Sequence, residues 1–513
     1  MSILPALSGS LDALLPGDRL GPALAARLPA LRWYAGKARA LAALTVTPLA
    51  ALPVGERTAR LTVVGVRYLD GSREDYLLPL LTVPAGQPDA IPETALLALL
   101  HTPEGDAMLI DAVGDPAFAA ALLDLIADER RVSGPGGMLI AGRDAPLPAG
   151  DLTPRLLGAE QSNSSIRYGD QLILKLYRRL MPGINPDVEV GRFLTARRFP
   201  ATPAVRGWIE FRPAVGEPVS LAVLHDLIPD AEDGWTAALA LIGRLVRCRA
   251  GEPAPAAPAG PLVPPPPLPS AIERALGSSL VFIRRLGVVT AELHLTLASA
   301  PDDPAFAPEP PAPAQQQAAA AALLDRWARL PTLLAGRSLP PAARAAADAV
   351  LAAGDRVAAI LAAAPAPPLL TRCHGDFHLG QTLLRAGEPV IIDFEGEPAR
   401  PLAERRAKRS PLRDVAGMLR SFDYAAAAAG AGSPWAEAWR AWASAAYLAA
   451  YLDRAHGAPF LPRSAAETAA LLDLFLLEKA LYEVEYELHS RPDWVAIPLA
   501  GLRRLLAGGR PAQ

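Results

Sequence analysis

The sequence predicts an α+β fold in two lobes, the first rich in strands and the second mainly helical, behind a small N-terminal subdomain. Three observations carry that expectation. Up to residue 229 the apolar residues fall in short runs separated by turn residues, the pattern of strands. Beyond Asp230 they fall in long stretches rich in Ala and Leu, the pattern of helices. Within that helical half, residues 374–393 set two carboxylates and an amide on a glycine-bearing loop and the hairpin that follows it.

A chain of 513 residues is too long for one core and should divide into two to four units. The composition changes place the boundaries at residues 1–95, 96–229 and 230–513. Hydrophobic residues make up 51% and charged residues 20%, which marks a globular protein rather than a disordered or fibrous one. A net charge of −3 gives no general attraction to nucleic acid or anionic lipid. Cys248 and Cys373 cannot build a disulfide framework, which fits a reducing compartment. The N-terminus lacks the basic region of a signal peptide, and no uninterrupted apolar run approaches about 20 residues. A cytoplasmic protein without membrane spans is expected.

Element by element, residues 61–68 read as a strand entering the turn Asp70-Gly71-Ser72, and residues 75–80 return as its hairpin partner. A helix is expected over about 116–132, with Leu122, Leu123, Leu125 and Ile126 on its apolar side. Residues 171–177 form a strongly apolar strand, and Asn185-Pro186 supplies the cap and first turn of a helix. Residues 219–224 form a further strand, which ends at Ile228-Pro229. The proline-rich stretches 251–269 and 301–313 read as extended, solvated loops.

The most informative segment is Cys373-His374-Gly375-Asp376-Phe377-His378-Leu379-Gly380-Gln381. In the catalytic loop of protein kinases, a His stands two residues before an Asp and an Asn five residues after it. Here His374, Asp376 and Gln381 keep that spacing. A short acidic side chain on a rigid loop can accept or orient a hydroxyl proton, and an amide oxygen can bind Mg²⁺. Twelve residues past Gln381, an apolar strand ends in Asp393-Phe394, where a kinase has Asp-Phe-Gly. The candidate catalytic residues are therefore Asp376 and His374, the latter more as a brace for the loop than as a proton carrier. The candidate metal ligands are Gln381 and Asp393. The fold expected is thus bilobal and protein-kinase-like.

Nucleotide binding should lie upstream. Lys175, in the middle of an apolar strand, is costly to bury unless paired, and a kinase uses such a lysine on the α- and β-phosphates. Glu189, on the helix opening at Pro186, is its expected partner. Ser162, Asn163, Ser164 and Ser165 form a polar turn able to face phosphates in place of a glycine-rich loop.

The segment 374–381 together with Asp393-Phe394-Glu395-Gly396-Glu397-Pro398 resembles the bacterial maltokinases, within the aminoglycoside phosphotransferase and protein-kinase-like superfamily. The resemblance extends through residues 404–424, Thr290-Ala291-Glu292-Leu293-His294-Leu295, Glu478-Lys479-Ala480-Leu481-Tyr482-Glu483, and Arg491-Pro492-Asp493-Trp494. Arg32-Trp33-Tyr34-Ala35-Gly36-Lys37 is similar to the stretch that marks that family's N-terminal cap. The proline-rich insertions are the main departure. The resemblance implies an ATP- and Mg²⁺-dependent enzyme making maltose 1-phosphate for α-glucan synthesis, with Asp376 as base. It also implies that any association with trehalose synthase is non-covalent.

For the sugar, Lys479, Tyr482, Glu483 and Tyr486 share one helix face at i, i+3, i+4 and i+7. Glu395 and Trp494 join them as candidate substrate residues. The same face reads equally well as an ordinary amphipathic helix with Tyr at the core edge. Two other functions stay open: a kinase for glucosamine or an aminoglycoside on the same scaffold, and a non-catalytic pseudokinase module.

Overall fold

The computed structural model describes residues 4–16, 19–85, 92–157, 163–258 and 262–507. The chain divides into two compact units, Met1–Arg198 with Pro203–Pro229 and Phe199–Thr202 with Asp230–Gln513.

The first unit is built on two seven-stranded sheets. In the first, the expected hairpin is present as Arg57–Tyr68 paired antiparallel with Arg73–Pro84, Val63 standing opposite Leu77. Leu96–Thr102 and Gly105–Asp111 continue the same sheet. The boundary expected at residue 95 therefore falls inside a sheet. The strands Arg73–Pro84 and Gly105–Asp111, on either side of that boundary, are neighbours in one sheet.

The second sheet is antiparallel throughout and runs in the order Arg131–Gly134, Gly137–Arg143, Val205–Pro213, Val219–Asp226, Leu172–Tyr177, Asn163–Tyr168 and Pro154–Leu157. The strand bearing Lys175 is interior, with Ser165 on one side and Val223 on the other. One face packs through Tyr177, Val205 and Val223 against Val188 of the helix Pro186–Ala196. On the other, Leu174, Leu224 and Ile166 join Phe118, Leu122 and Ile126 of the helix Pro116–Ala127 in a core shared with the first sheet. That helix stops short of the expected residue 132. Glu129 turns to a φ of +51°, and residues 131–134 leave as a strand.

Arg178, directly after the lysine-bearing strand, has only 2% of its surface exposed. Its guanidinium pairs with Asp111 at 2.7 Å, donates to Ser164 Oγ at 2.8 Å and lies 4.7 Å from the Trp33 ring centre. Trp33 Nε1 donates to the same Asp111 at 3.3 Å. Removing one partner of such a pair leaves a buried charge uncompensated. Arg178→Ala should lower the unfolding free energy by about 3–5 kcal/mol in urea denaturation, whereas Arg57→Ala, at a more exposed pair, should cost about 1 kcal/mol or less.

The second unit is mainly helical, with a small sheet of Glu232–Asp233, Thr382–Arg385 and Glu388–Ile391. Ser464 and Glu467 close a capping box at the start of the helix Ala465–Ser490. This helix runs beside Leu412–Gly430 along a polar ladder. Arg413 pairs with Glu478 through two bonds at 2.5 and 2.6 Å, Arg420 with Glu483 at 2.8 Å, and Tyr424 with Glu487 at 2.9 Å. Residues 413, 420 and 424 stand at i, i+7 and i+11, so the ladder occupies one helix face.

The first proline-rich stretch differs from the solvated loop expected of it. Trp435 and Trp442, on the helix Pro434–Arg454, donate their indole N–H groups to the carbonyls of Glu252 and Ala256 at 3.1 and 2.9 Å. A proline-rich backbone keeps its carbonyls free to accept such bonds. Among the described residues, no helix is long and apolar enough to cross a membrane.

Candidate active site

The loop 374–378 is held from beneath by Asp414, in the first turn of the helix Leu412–Gly430. Its carboxylate accepts the backbone N–H of His374 at 2.8 Å and of Gly375 at 3.0 Å. It also lies 3.0 Å from Nε2 of the fully buried His294, whose Nδ1 lies 3.0 Å from the Tyr451 hydroxyl. A carboxylate only accepts, so His294 Nε2 donates and Nδ1 accepts from Tyr451. Burial alone would raise the Asp414 pKa, but the His294 hydrogen bond and the surrounding donors hold it below the usual carboxylate value.

His374 is committed on both ring nitrogens. Nε2 lies 3.0 Å from Ile392 O and so donates, and Nδ1 accepts the Asp376 N–H at 3.4 Å. The ring sits between Phe377 and Phe394 at about 5 Å from each. With neither nitrogen left for a reacting proton, His374 fastens the loop to the following strand. Gly375 adopts a φ of +88°, and a Cβ there would come within 3.3 Å of Gly396 Cα, so the turn demands glycine.

The hairpin Thr382–Arg385 and Glu388–Ile391 returns the chain beside the loop. Gln381 Nε2 donates to Asp393 Oδ2 at 3.0 Å, which fixes the amide and leaves Oε1 as its acceptor end. Asp393 has a φ of +66°, an unusual conformation for a residue with a side chain, held by the Ile392 N–H to Gln381 carbonyl bond at 3.0 Å. A carboxylate and an amide oxygen on neighbouring side chains of this kind are hard donors of the type Mg²⁺ takes, although here it is Nε2 of Gln381 that faces Asp393.

A polar cleft opens at Asp376, lined by Lys479, Tyr482, Glu397, Arg400 and Arg326 among others. Lys479 Nζ bridges Asp376 Oδ1 at 3.3 Å and Glu397 Oε1 at 3.2 Å. Burial opposes a charge on Lys479, but Asp376, Glu397 and Glu483 outweigh it and push its pKa above the ordinary lysine value. Burial would likewise raise Glu397, yet Lys479 and Arg400 draw it down to about 2. A depressed carboxylate stabilises the fold above its unfolded value and loses that contribution as pH falls through its folded value. The Glu397 contribution should thus vanish between about pH 4.5 and about pH 2. Denaturation midpoints of Glu397→Gln should be measurably flatter over that window than those of the parent.

Of the other expected substrate residues, Tyr482 lines this cleft and stacks with Tyr486, their rings 6.3 Å apart and 25° from parallel. Tyr486 is 45% exposed. Glu395 lies against Arg405, which donates to its carbonyl at 3.0 Å. Two candidates sit elsewhere. Glu483 is buried in the ladder between helices, where Arg420 of Leu412–Gly430 holds its carboxylate at 2.8 Å. Trp494 stacks on Tyr424 at 6.0 Å and lines a separate hollow with Asp423 and Arg504.

In the first unit, Lys175 Nζ lies 3.3 Å from Asp187 Oδ2, which also accepts from Tyr177 OH at 3.2 Å. Asp187 is oriented by the capped first turn, where Asn185 Oδ1 accepts its N–H at 2.9 Å. Glu189, the partner expected for Lys175, stands two residues further along the same turn. Asn163, Ser164 and Ser165 open a strand rather than forming a free turn, and both serines are buried. Ser162 lies outside the described residues.

Sequence reasoning missed Asp414, Glu397, Arg400, Arg326 and Arg178. Glu397 and Asp414 stand inside the segments 393–398 and 404–424 that carry the family resemblance, and that membership was the available signal. Arg326, on the Ala-rich helix Pro313–Ala335, gave none.

Residues 28–115 match the maltokinase N-terminal cap domain. Two relatives are named glucosamine kinase. The protein of Mycolicibacterium smegmatis is 29% identical over 361 residues, spanning 69% of this chain and 80% of its own. That of Streptacidiphilus jiangxiensis is 27% identical over 480 residues, spanning 90% and 96%. A solved glucosamine kinase (crystal form B) superposes with a TM-score of 0.63 at 22% identity, covering 93% of this chain and 97% of the other. The structure of glucosamine kinase with glucosamine, ADP and inorganic phosphate gives 0.61 at 22% identity, covering 94% and 98%. The α+β, kinase-like fold expected from the sequence is the fold these structures share with this chain.

Proposed function

We propose that this chain, a sugar phosphotransferase using ATP, phosphorylates maltose to maltose 1-phosphate. The observation that carries the reading is Asp376 at the head of the polar cleft, next to the hairpin that pairs Gln381 with Asp393. Asp376 accepts the proton of the anomeric hydroxyl and aims its oxygen for in-line attack on the γ-phosphoryl. Lys175, steered by Asp187, neutralises the nucleotide phosphates. Gln381 Oε1 and Asp393 would hold Mg²⁺, which when bound offsets phosphate charge. Asn163 and the start of its strand are proposed to face the phosphates.

A match to the maltokinase cap domain supports maltose, as do the motifs of the catalytic half. Tyr482 lines the cleft and stacks with the 45% exposed Tyr486, and two adjacent aromatic rings suit a disaccharide. The wider proposal includes a place in α-glucan synthesis and non-covalent association with trehalose synthase. A relative named glucosamine kinase that matches over nearly its whole length favours glucosamine as the second reading. Coupled ATP-turnover assays with maltose, glucose, glucosamine and kanamycin separate the two. The proposal expects the highest kcat/KM with maltose, and a clear preference for glucosamine would replace it.

A further inference from the structure

We infer that Lys479 is a specificity residue that makes the acceptor cleft select uncharged sugars over protonated amino sugars. The inference rests on the phosphotransfer reading above and adds the acceptor's charge class.

Six cationic and five acidic side chains line the cleft. Recognition of an ammonium group requires a carboxylate able to receive it, and each of these five already has a partner. Glu478 is held by two bonds from Arg413. Glu397 is shared between Lys479 and Arg400, and Glu404 lies 3.2 Å from Arg400. Asp414 serves two backbone N–H groups and His294. Asp376, the group an acceptor must approach, has Lys479 Nζ at 3.3 Å. An ammonium next to the reacting hydroxyl would displace or confront that cation.

Lys479 cannot easily step aside. It is half-buried, with 23% of its side chain exposed, and bridges Asp376 on the loop 374–378 and Glu397 on the turn after Asp393, so turning away would abandon two carboxylates at once. The positive excess is felt elsewhere in the cleft. Burial and the neighbouring Arg413 and Arg400 lower the pKa of Arg409. A neutral hydroxyl can instead accept from Lys479 and donate to Asp376, so the arrangement that repels an amine serves an alcohol.

Glucose and glucosamine differ only in a hydroxyl against an amino group at one carbon, and so isolate charge from shape. At pH 6.5, where the amine is mostly protonated, the wild-type protein should show a kcat/KM for glucose at least about tenfold above that for glucosamine. Lys479→Met should bring the ratio toward one, and Lys479→Arg should preserve it. Titration calorimetry of both sugars in the same proteins keeps a readout where turnover is lost. The wild type should bind glucosamine about tenfold more weakly than glucose, and the Met variant should bind both alike. Equal or tighter binding of glucosamine by the wild type, or a ratio unmoved in Lys479→Met, would overturn the inference. Absence of product from every sugar would instead sink the phosphotransfer reading, with calorimetry still deciding this one.

Discussion

Asp376→Ala is expected to cut kcat for sugar phosphorylation by about 10²-fold or more while leaving the ATP dissociation constant within about twofold. A 10²-fold loss corresponds to about 2.7 kcal/mol of transition-state stabilisation. The expectation follows from position. Asp376 heads the cleft, and its backbone is fixed through His374 while its side chain meets Lys479. Phosphoryl transfer draws mostly on positioning and charge stabilisation, so losing the group that orients the nucleophile should act on turnover rather than nucleotide affinity. Circular dichroism should show an intact fold, because among the described residues the Asp376 carboxylate pairs with Lys479 and not with a buried backbone donor. Lys479 keeps Glu397 in the variant.

Asp414→Ala should behave differently, losing stability and turnover together. The backbone N–H groups of His374 and Gly375 and the buried His294 lose their acceptor at once. Leaving buried donors unsatisfied costs about 1–3 kcal/mol each, and a total of about 3–5 kcal/mol is expected in chemical denaturation. Displacing the loop by about 1 Å should lower kcat by about 10²-fold even in protein that remains folded. Asp414→Asn keeps one acceptor oxygen, which can serve His374 N–H and His294 but not Gly375 N–H as well, and should recover part of the stability. Equal destabilisation by the two variants would contradict a hydrogen-bonding role for the carboxylate.

Features written in local spacing were legible. The loop, the hairpin and the order of His374, Asp376, Gln381 and Asp393 lie within 20 residues, and the backbone between them is too short to arrange in many ways. The Asn185-Pro186 helix start and the 61–80 hairpin were readable for the same reason. What depends on pairing across the chain was not. Glu483 looks like a cleft residue from its helical spacing, yet Arg420, 63 positions away, draws it into the ladder. Asp187, in the first turn of the helix that also carries Glu189, stands 3.3 Å from Lys175, and nothing in the local spacing singled it out. The cap boundary was misplaced because sheet membership is set by hydrogen bonding to Gly105–Asp111, which composition does not report. Asp414 carries the loop 374–378 from 38 residues downstream of Asp376, with no regular spacing to announce it.

The central claim is that a phosphoryl group moves from ATP to a sugar hydroxyl at Asp376. Its most direct test offers the protein γ-labelled ATP with Mg²⁺ and maltose, and follows the label by chromatography and ³¹P NMR. The account predicts one labelled phosphate on the anomeric carbon of maltose per ATP consumed, with labelling abolished in Asp376→Ala. Label released as inorganic phosphate, or retained on ATP with every sugar offered, would contradict it.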